Sequence, residues 1–457
     1  MHPEKTRHPA LSPEALADPP AAAASGPVTR ASRREPFAEF MRGTLPRWAL
    51  VRQRMDATEV SDVAAAVGAA LEPVRASIEP GSRVCLAVGS RGIDRIDEVV
   101  RAAVAWVRAA GAEVFVVPAM GSHGGATPEG QLEVLASYGI TPESIGCQIR
   151  SSMDTVALGE VRPGLPVFVD RNAFEGADVI VPINRVKPHT DFTGEIESGV
   201  MKMIAIGLGK QRGADTLHRQ GFATFYELIP AVAEFTISKV NIPFGLALVE
   251  NGNARLWRIE ALPRDRLRER ERELLVTARG LMARLPLGSI DVLVLDYIGK
   301  DISGLGMDSN VVGRYYAGPT GAGPSIQRIV VRDLTAETEG NAVGIGLADV
   351  VLRRAVEKMD AHKTYMNSIT AKTPEGARVA LTVDTDRQAL SVAIACCVKV
   401  EPLDARIIRI RDTKHLELLY VSEPALQEVL GTGGCEIVQP PDAIEFDRAG
   451  MFASSLS

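Results

Sequence analysis

Short apolar runs alternate with longer amphipathic stretches from about residue 55 onward. The run RVCLAVGS (83–90) ends in Gly-Ser and predicts a buried strand opening into a turn. RIDEVVRAAVAWVRAAG (95–111) has apolar positions at helical spacing and a closing glycine. AEVFVVPAM (112–120) predicts a second strand running into GSHGGA. Thr127, Pro128 and Glu129 then read as an N-cap, a first-turn proline and a first-turn acid. GADVIVPIN (176–184) predicts a third strand, which opens into NRVKPHTDFTGEIESGVMK (184–202). That stretch has neither helical nor alternating periodicity, so it reads as a loop. Strand, loop and helix in repetition predict an α/β fold with a mostly parallel sheet.

The segment PRDRLRERERELLVTARGLMARL (263–285) is charged, then amphipathic, and predicts a long connecting helix whose charge run is a solvated face. After it the rhythm restarts: strands at IDVLVLDYIG (290–299) and IQRIVVRDL (326–334), a helix near 346–359, then the apolar runs RVALTV, LSVAIACCV and RIIRIRD. The expected organisation is therefore two α/β domains with mostly parallel sheets. The boundary falls within 255–288: one domain spans 37–270 and a second spans 271–457. Residues 1–36 are biased to Pro, Ala and Ser and read as a disordered tail.

Length and composition agree with two sizeable domains: 457 residues, 46% hydrophobic and 24% charged. The formal charge of -6, without a basic block, argues against a nucleic-acid partner. Five cysteines with no C-x-x-C argue against a disulfide framework or a zinc ribbon. Cys396 and Cys397, inside an apolar run, are expected to be buried and inert. No apolar run reaches the roughly 18 residues a membrane span needs. With no secretory h-region at the start, the expected compartment is the cytoplasm.

In open α/β sheets ligands bind beyond the carboxyl ends of the strands, so the polar residues just past each apolar run are the candidates. Arg91 follows the first, His123 the second, and Lys187, His189 and Lys202 the third. Lys300, Asp301, Asp308, Asn310 and Arg314 follow the first strand of the second domain. The chain has seven histidines, two of them in the tail, and two of the rest fall in these loops, with His218 further on. Glycines around them let backbone approach a ligand. The set implies a small anionic substrate and imidazole acid/base chemistry. The histidines alone do not choose between proton shuttling and metal ligation.

These residues resemble the nickel-dependent lactate racemase family. PHTDFTGEIESGVMK matches its run of Pro-His, then Phe, Gly and Ser-Gly-x-x-Lys, and the resemblance covers most of 80–315 in order. It implies His189 and His123 (in GSHGG) as the acid/base pair and His218 (in DTLHRQ) as the nickel ligand. It also implies Lys202 as the covalent anchor of a nickel-pincer nucleotide, the Ni(II) pyridinium-3-thioamide-5-thiocarboxylic acid mononucleotide. Arg91 would meet the substrate carboxylate, and Lys300, Asp308, Asn310 or Arg314 would supply the second domain's substrate contacts. The implied activity is racemisation or epimerisation of a 2-hydroxy acid, and the implied partners are that acid and the cofactor-making enzymes. Two features depart from the family pattern: the loop from His189 to Lys202 is longer, and the second-domain contacts differ. The competing readings are a zinc or iron lyase or hydrolase using the three histidines, a Schiff-base enzyme using Lys202, and a non-catalytic hydroxy-acid binder.

Overall fold

The computed structural model describes residues 37–89, 92–316 and 323–456. The tail 1–36 and Arg91 lie outside the described residues. From Glu39 onward the chain forms one compact unit built on two large sheets.

The first sheet has the spatial order Glu113–Pro118, Arg83–Val88, Val179–Arg185, Phe244–Glu250 and Leu256–Pro263. Its first three neighbour pairs are parallel and the last is antiparallel. Side chains alternate between two cores: Cys85 and Ala87 enter one, while Val84, Leu86 and Val88 enter the other. Burial on both faces is why these strands read as continuous apolar runs rather than alternating ones. The predicted helix is present as Ile96–Ala109. Thr127 caps Pro128–Ser137 by accepting the Gly130 N–H at 3.0 Å.

The helix Leu267–Leu281 packs Leu267, Leu274, Leu275 and Ala278 into the same core as Ile180 and Met201. Most of its charge run is solvated, but Glu271 is only 1% exposed and points inward.

The second sheet has eight strands, with Ser289–Ile298 and Ser325–Leu334 near its centre, running parallel. Trp48–Gln53, from the start of the compact unit, lies in it antiparallel between His415–Ser422 and Cys435–Asp442. Two expectations change here. The stretch 346–359 is not one helix: Val350–Leu352 pairs as a parallel strand, and only Arg353–Glu357 is helical after it. A β-branched apolar trio beside an open sheet position outweighs helical spacing. LSVAIACCV lies mostly within the helix Asp386–Ala395, which a Thr385/Gln388 capping box starts. Cys396 and Cys397, just past its end, are half-buried.

Among the described residues, no helix is long and apolar enough to cross a membrane.

Candidate active site

Parallel strands place their following loops on one edge of a sheet, and the loops carrying His123 and His189 share that edge of the first sheet. The loop after Val179–Arg185 is closed at its base, where Lys187 and Ser198 exchange backbone hydrogen bonds of 3.0 and 3.2 Å. Inside it, Glu197 is 2% exposed and acts as the hub. Its carboxylate accepts the His189 N–H at 2.7 Å and the Gly194 N–H at 2.9 Å. Arg279 pairs with the same carboxylate at 2.5 Å and donates to the Gly194 carbonyl at 3.0 Å. A buried carboxylate is tolerable only when paired and bonded in this way. Glu195, two positions away, is exposed and pairs with Arg268 at 3.3 Å.

His189 is held from several sides. Asn310 donates its side-chain amide to the His189 carbonyl at 3.0 Å, and the Ser309 hydroxyl donates to the Thr190 carbonyl at 2.6 Å. Phe192 covers the ring, centroids 4.4 Å apart. Nδ1 accepts the Asp191 N–H at 3.0 Å.

After the loop, Val200–Lys202 makes one helical turn and Met203–Gly207 widens into a π-helical turn, with Leu208 N–H donating to the Met203 carbonyl at 2.9 Å. Asn184 donates to the Gly199 carbonyl at 2.8 Å and Glu271 accepts the Met201 N–H at 3.0 Å, so the backbone entering Lys202 is fixed from two elements. A β-carbon on Gly199 would lie 2.3 Å from the Glu271 carboxyl, so any other residue would displace that carboxyl from the Met201 N–H.

Burial pushes the Glu271 carboxyl up to about 7 from its ordinary 4.5, against the Met201 and Val200 N–H groups that favour its charged form. A raised folded pKa gives stability that is full below about pH 4.5 and lost as pH rises through about 7. The loss amounts to at most about 3 kcal/mol. Glu271→Gln should lack this decline, and Tm measured against pH for both proteins checks it. Parallel curves between pH 5 and 8, on the order of these limits, would contradict a raised Glu271 pKa.

The helix Lys210–His218 follows and delivers His218. Its ring stacks on Phe225 with a 5.6 Å centroid separation and a 7° tilt, and Phe222 lies 5.7 Å away. Phe222 is also 6.2 Å from His189, so one phenyl ring stands between the two imidazoles. Burial pushes His218 down to about 4, and the Lys202 charge adds to this while Asp215 opposes it. The ring is therefore neutral at ordinary pH, and its buried Nδ1 has no hydrogen-bond partner.

The His123 loop depends on glycines that leave the usual backbone range: Gly121, Gly124 and Gly125 have φ of 60°, 66° and 64°. A β-carbon on Gly124 would stand 2.5 Å from Gly130 backbone. Beneath the loop Gln131, fully buried, donates to the Gly121 and His123 carbonyls at 3.0 and 3.3 Å. Gln131 accepts the buried Lys210 ammonium at 3.0 Å, and Lys210 also pairs with Asp170 at 2.9 Å and donates to the Pro118 carbonyl at 2.5 Å. One buried cation thus ties the His123 loop to the start of the helix that carries His218. Burial lowers the Lys210 pKa, and Asp170 acts against that. Lys210, Gln131 and Asp170 are not among the residues singled out in the sequence, and Glu197 carried no assigned role there. A lysine or glutamate gives no local sign of being inside.

From the second sheet, Asp308 pairs with Lys187 at 3.4 Å, accepts the Asn310 N–H at 3.0 Å and donates its own N–H to the Thr413 hydroxyl at 2.9 Å. Asn310 holds His189, as above, and accepts the Tyr315 hydroxyl at 3.1 Å. The Lys300 ammonium donates to the Gly304 carbonyl and the Asn367 side chain, both at 2.7 Å. Asp301 accepts the Thr335 hydroxyl at 2.6 Å. The Arg314 guanidinium is spent on the Leu347, Ile326 and Gln327 carbonyls and on Asp349 at 2.6 Å. The structure thus gathers His189, Lys202, His218, Lys187, Asp308 and Asn310, and leaves Arg314 in the support of the second sheet. Among the described residues, no group of three or more His, Cys, Asp and Glu side chains is placed to hold a metal ion by itself.

Comparison with known proteins adds a domain match to this geometry. Residues 46–225 match the lactate racemase N-terminal domain. No curated protein matches the sequence. Among solved structures, the lactate racemase apoprotein from Thermoanaerobacterium thermosaccharolyticum superposes with a TM-score of 0.50 at 13% identity, covering 80% of this chain and 99% of that one. That likeness extends to the fold. A Thermotoga maritima protein gives a TM-score of 0.48 at 13% identity, covering 77% of this chain and 97% of that one.

Proposed function

We propose that this chain, whose residues 46–225 match the lactate racemase N-terminal domain, racemises or epimerises a 2-hydroxy acid. The observation that carries the mechanism is the neutral, buried His218 ring with an unpartnered nitrogen, close enough to Lys202 to feel its charge and one phenyl ring from His189. These residues fit a nickel-pincer nucleotide: Lys202 would anchor it covalently and His218 would offer a neutral nitrogen to nickel. When bound, that group supplies a ring able to accept a hydride.

The chain's own residues then have defined tasks. The Cα–H beside a carboxylate is a very weak acid, so removal of that hydrogen as a proton is a poor route. Taking the hydroxyl proton while the hydrogen leaves as hydride is easier, and it needs a base near neutrality, which an imidazole supplies. Interconverting two mirror forms needs such a group on each face, hence His123 and His189. Arg91, outside the described residues, is proposed to hold the carboxylate as a bidentate partner. Asp308 and Lys300 are proposed as second-sheet substrate contacts. Asn310 also holds the His189 carbonyl, and Arg314 acts through the carbonyls and the Asp349 carboxylate that it holds. Partner enzymes that make the cofactor would be required for activity.

The test is expression with cofactor-making enzymes, followed by intact mass, nickel analysis and a chiral assay on lactate, malate and aldonic acids in deuterated water. The expected result is a mass increment on the peptide containing Lys202 and interconversion without deuterium at Cα. Deuterium at Cα would overturn hydride transfer. His218→Gln should lose most of the bound nickel, and full nickel occupancy in that variant would remove His218 as a ligand.

A further inference from the structure

Two different groups of one residue address the His189 ring. Nδ1 accepts the Asp191 backbone N–H at 3.0 Å, and the Asp191 carboxylate stands 3.6 Å from the same nitrogen. The two side chains are 10% and 12% exposed, and the Thr190 hydroxyl donates to that carboxylate at 3.2 Å. The remainder of His189 is fixed through Glu197, Asn310 and Phe192. A ring nitrogen that accepts from an amide carries no proton, so the neutral ring in this position has its proton on Nε2. In that state Nε2 can donate a hydrogen bond but cannot take a proton. To take one, the ring must carry its proton on Nδ1, where the amide N–H opposes it and the carboxylate favours it.

We propose that Asp191 is the positioning residue that lets His189 work in both directions. Its N–H holds the state with the proton on Nε2, and its carboxylate holds the state with the proton on Nδ1. The proposal rests on the reading of His189 as a proton carrier. In a racemase each histidine must take a proton from one enantiomer and return one to form the other. The ring therefore cycles between the neutral Nδ1–H form, which accepts on Nε2, and the imidazolium, which donates from Nε2. Both carry the Nδ1–H that the carboxylate favours. In the accepting step the substrate O–H proton passes to Nε2 and the O–H electron pair stays on oxygen. The Cα–H pair leaves as hydride to the reaction's hydride acceptor. Asp191 gains only a stronger hydrogen bond from Nδ1–H. A purely local turn, by contrast, would need the backbone N–H alone and would be indifferent to the side chain at 191.

The test uses the full chain labelled with ¹⁵N at histidine, with the His189 ring assigned by its disappearance in His189→Gln. At a pH where the ring is neutral, the wild type should be mainly the Nε2–H tautomer with a measurable Nδ1–H fraction. Asp191→Asn keeps the backbone N–H and the side-chain shape, and should lower that fraction about threefold or more. In cofactor-loaded enzyme, Asp191→Asn should lower kcat by about ten- to a hundredfold with KM little changed. An unchanged tautomer fraction, a wholly Nδ1–H ring in the wild type, or an unchanged kcat would each overturn the proposal. If the tautomer shifts as expected but loaded wild type turns over no 2-hydroxy acid, the racemase reading fails while the Asp191 switch stands.

Discussion

Replacing Lys202 with alanine should abolish both the covalent mass increment and racemisation, with little change in stability. The side chain is half-buried and ends a single helical turn whose backbone is fixed independently, by Glu271 at Met201 and by Asn184 at Gly199. Truncating it removes an amine and leaves those bonds in place, so the stability cost should stay within about 1 kcal/mol. Lys202→Arg separates charge from chemistry. It keeps a cation of similar length beside His218, but a guanidinium stays protonated and offers no amine for acylation. Both variants should therefore lack the mass increment on the 202 peptide and show no turnover above background. A Lys202→Arg protein that racemises at wild-type rates would show that the lysine supplies only charge. A wild-type mass increment in Lys202→Ala would place the attachment elsewhere.

The places where sequence pattern succeeded and failed have physical causes. The first sheet's strands are apolar on both faces and end at glycine or polar punctuation, so their limits and the loops that follow could be read directly. Thr127-Pro128-Glu129 predicted its helix start because capping chemistry is local. The same logic was overlooked at Thr385 and Gln388, whose spacing is a capping box, and LSVAIACCV was therefore read as one more apolar run rather than as helix. Val350–Leu352 could not be separated from helical spacing by period alone, since its reason is a vacant place beside Val330 and Val331. The strand Trp48–Gln53 finds both its neighbours more than 360 positions away, which no window along the chain reveals.

In the candidate site, His123 and His189 drew attention because they stand in glycine-dotted loops past strands. Those that hold them were not. Glu197 and Lys210 are charged residues whose burial is decided by Arg279 and Asp170, distant in sequence. Asn310, expected as a substrate contact, also carries the His189 carbonyl. A polar side chain beside a site looks the same in sequence whether it faces the ligand or the loop.

The second large effect is expected at the paired imidazoles. His123→Gln and His189→Gln should each lower racemisation by about 10²-fold or more, the usual range for losing a positioned acid/base group. Glutamine keeps a polar side chain of similar reach but cannot exchange a proton near neutrality, so kcat should fall while KM moves little. The loops should survive. His189's backbone is held by Glu197 and Asn310 whatever the side chain, and His123's carbonyl is held by Gln131. The decisive feature is non-additivity. If the two histidines serve opposite faces of one planar intermediate, each is needed for every conversion, and the double variant should be little worse than the slower single one. A double variant whose loss is the product of the single losses would mean that the two act independently. Either single variant at the wild-type rate would mean that one imidazole serves both faces, and the two-base scheme would give way to a one-base mechanism in which the substrate itself turns over in the site.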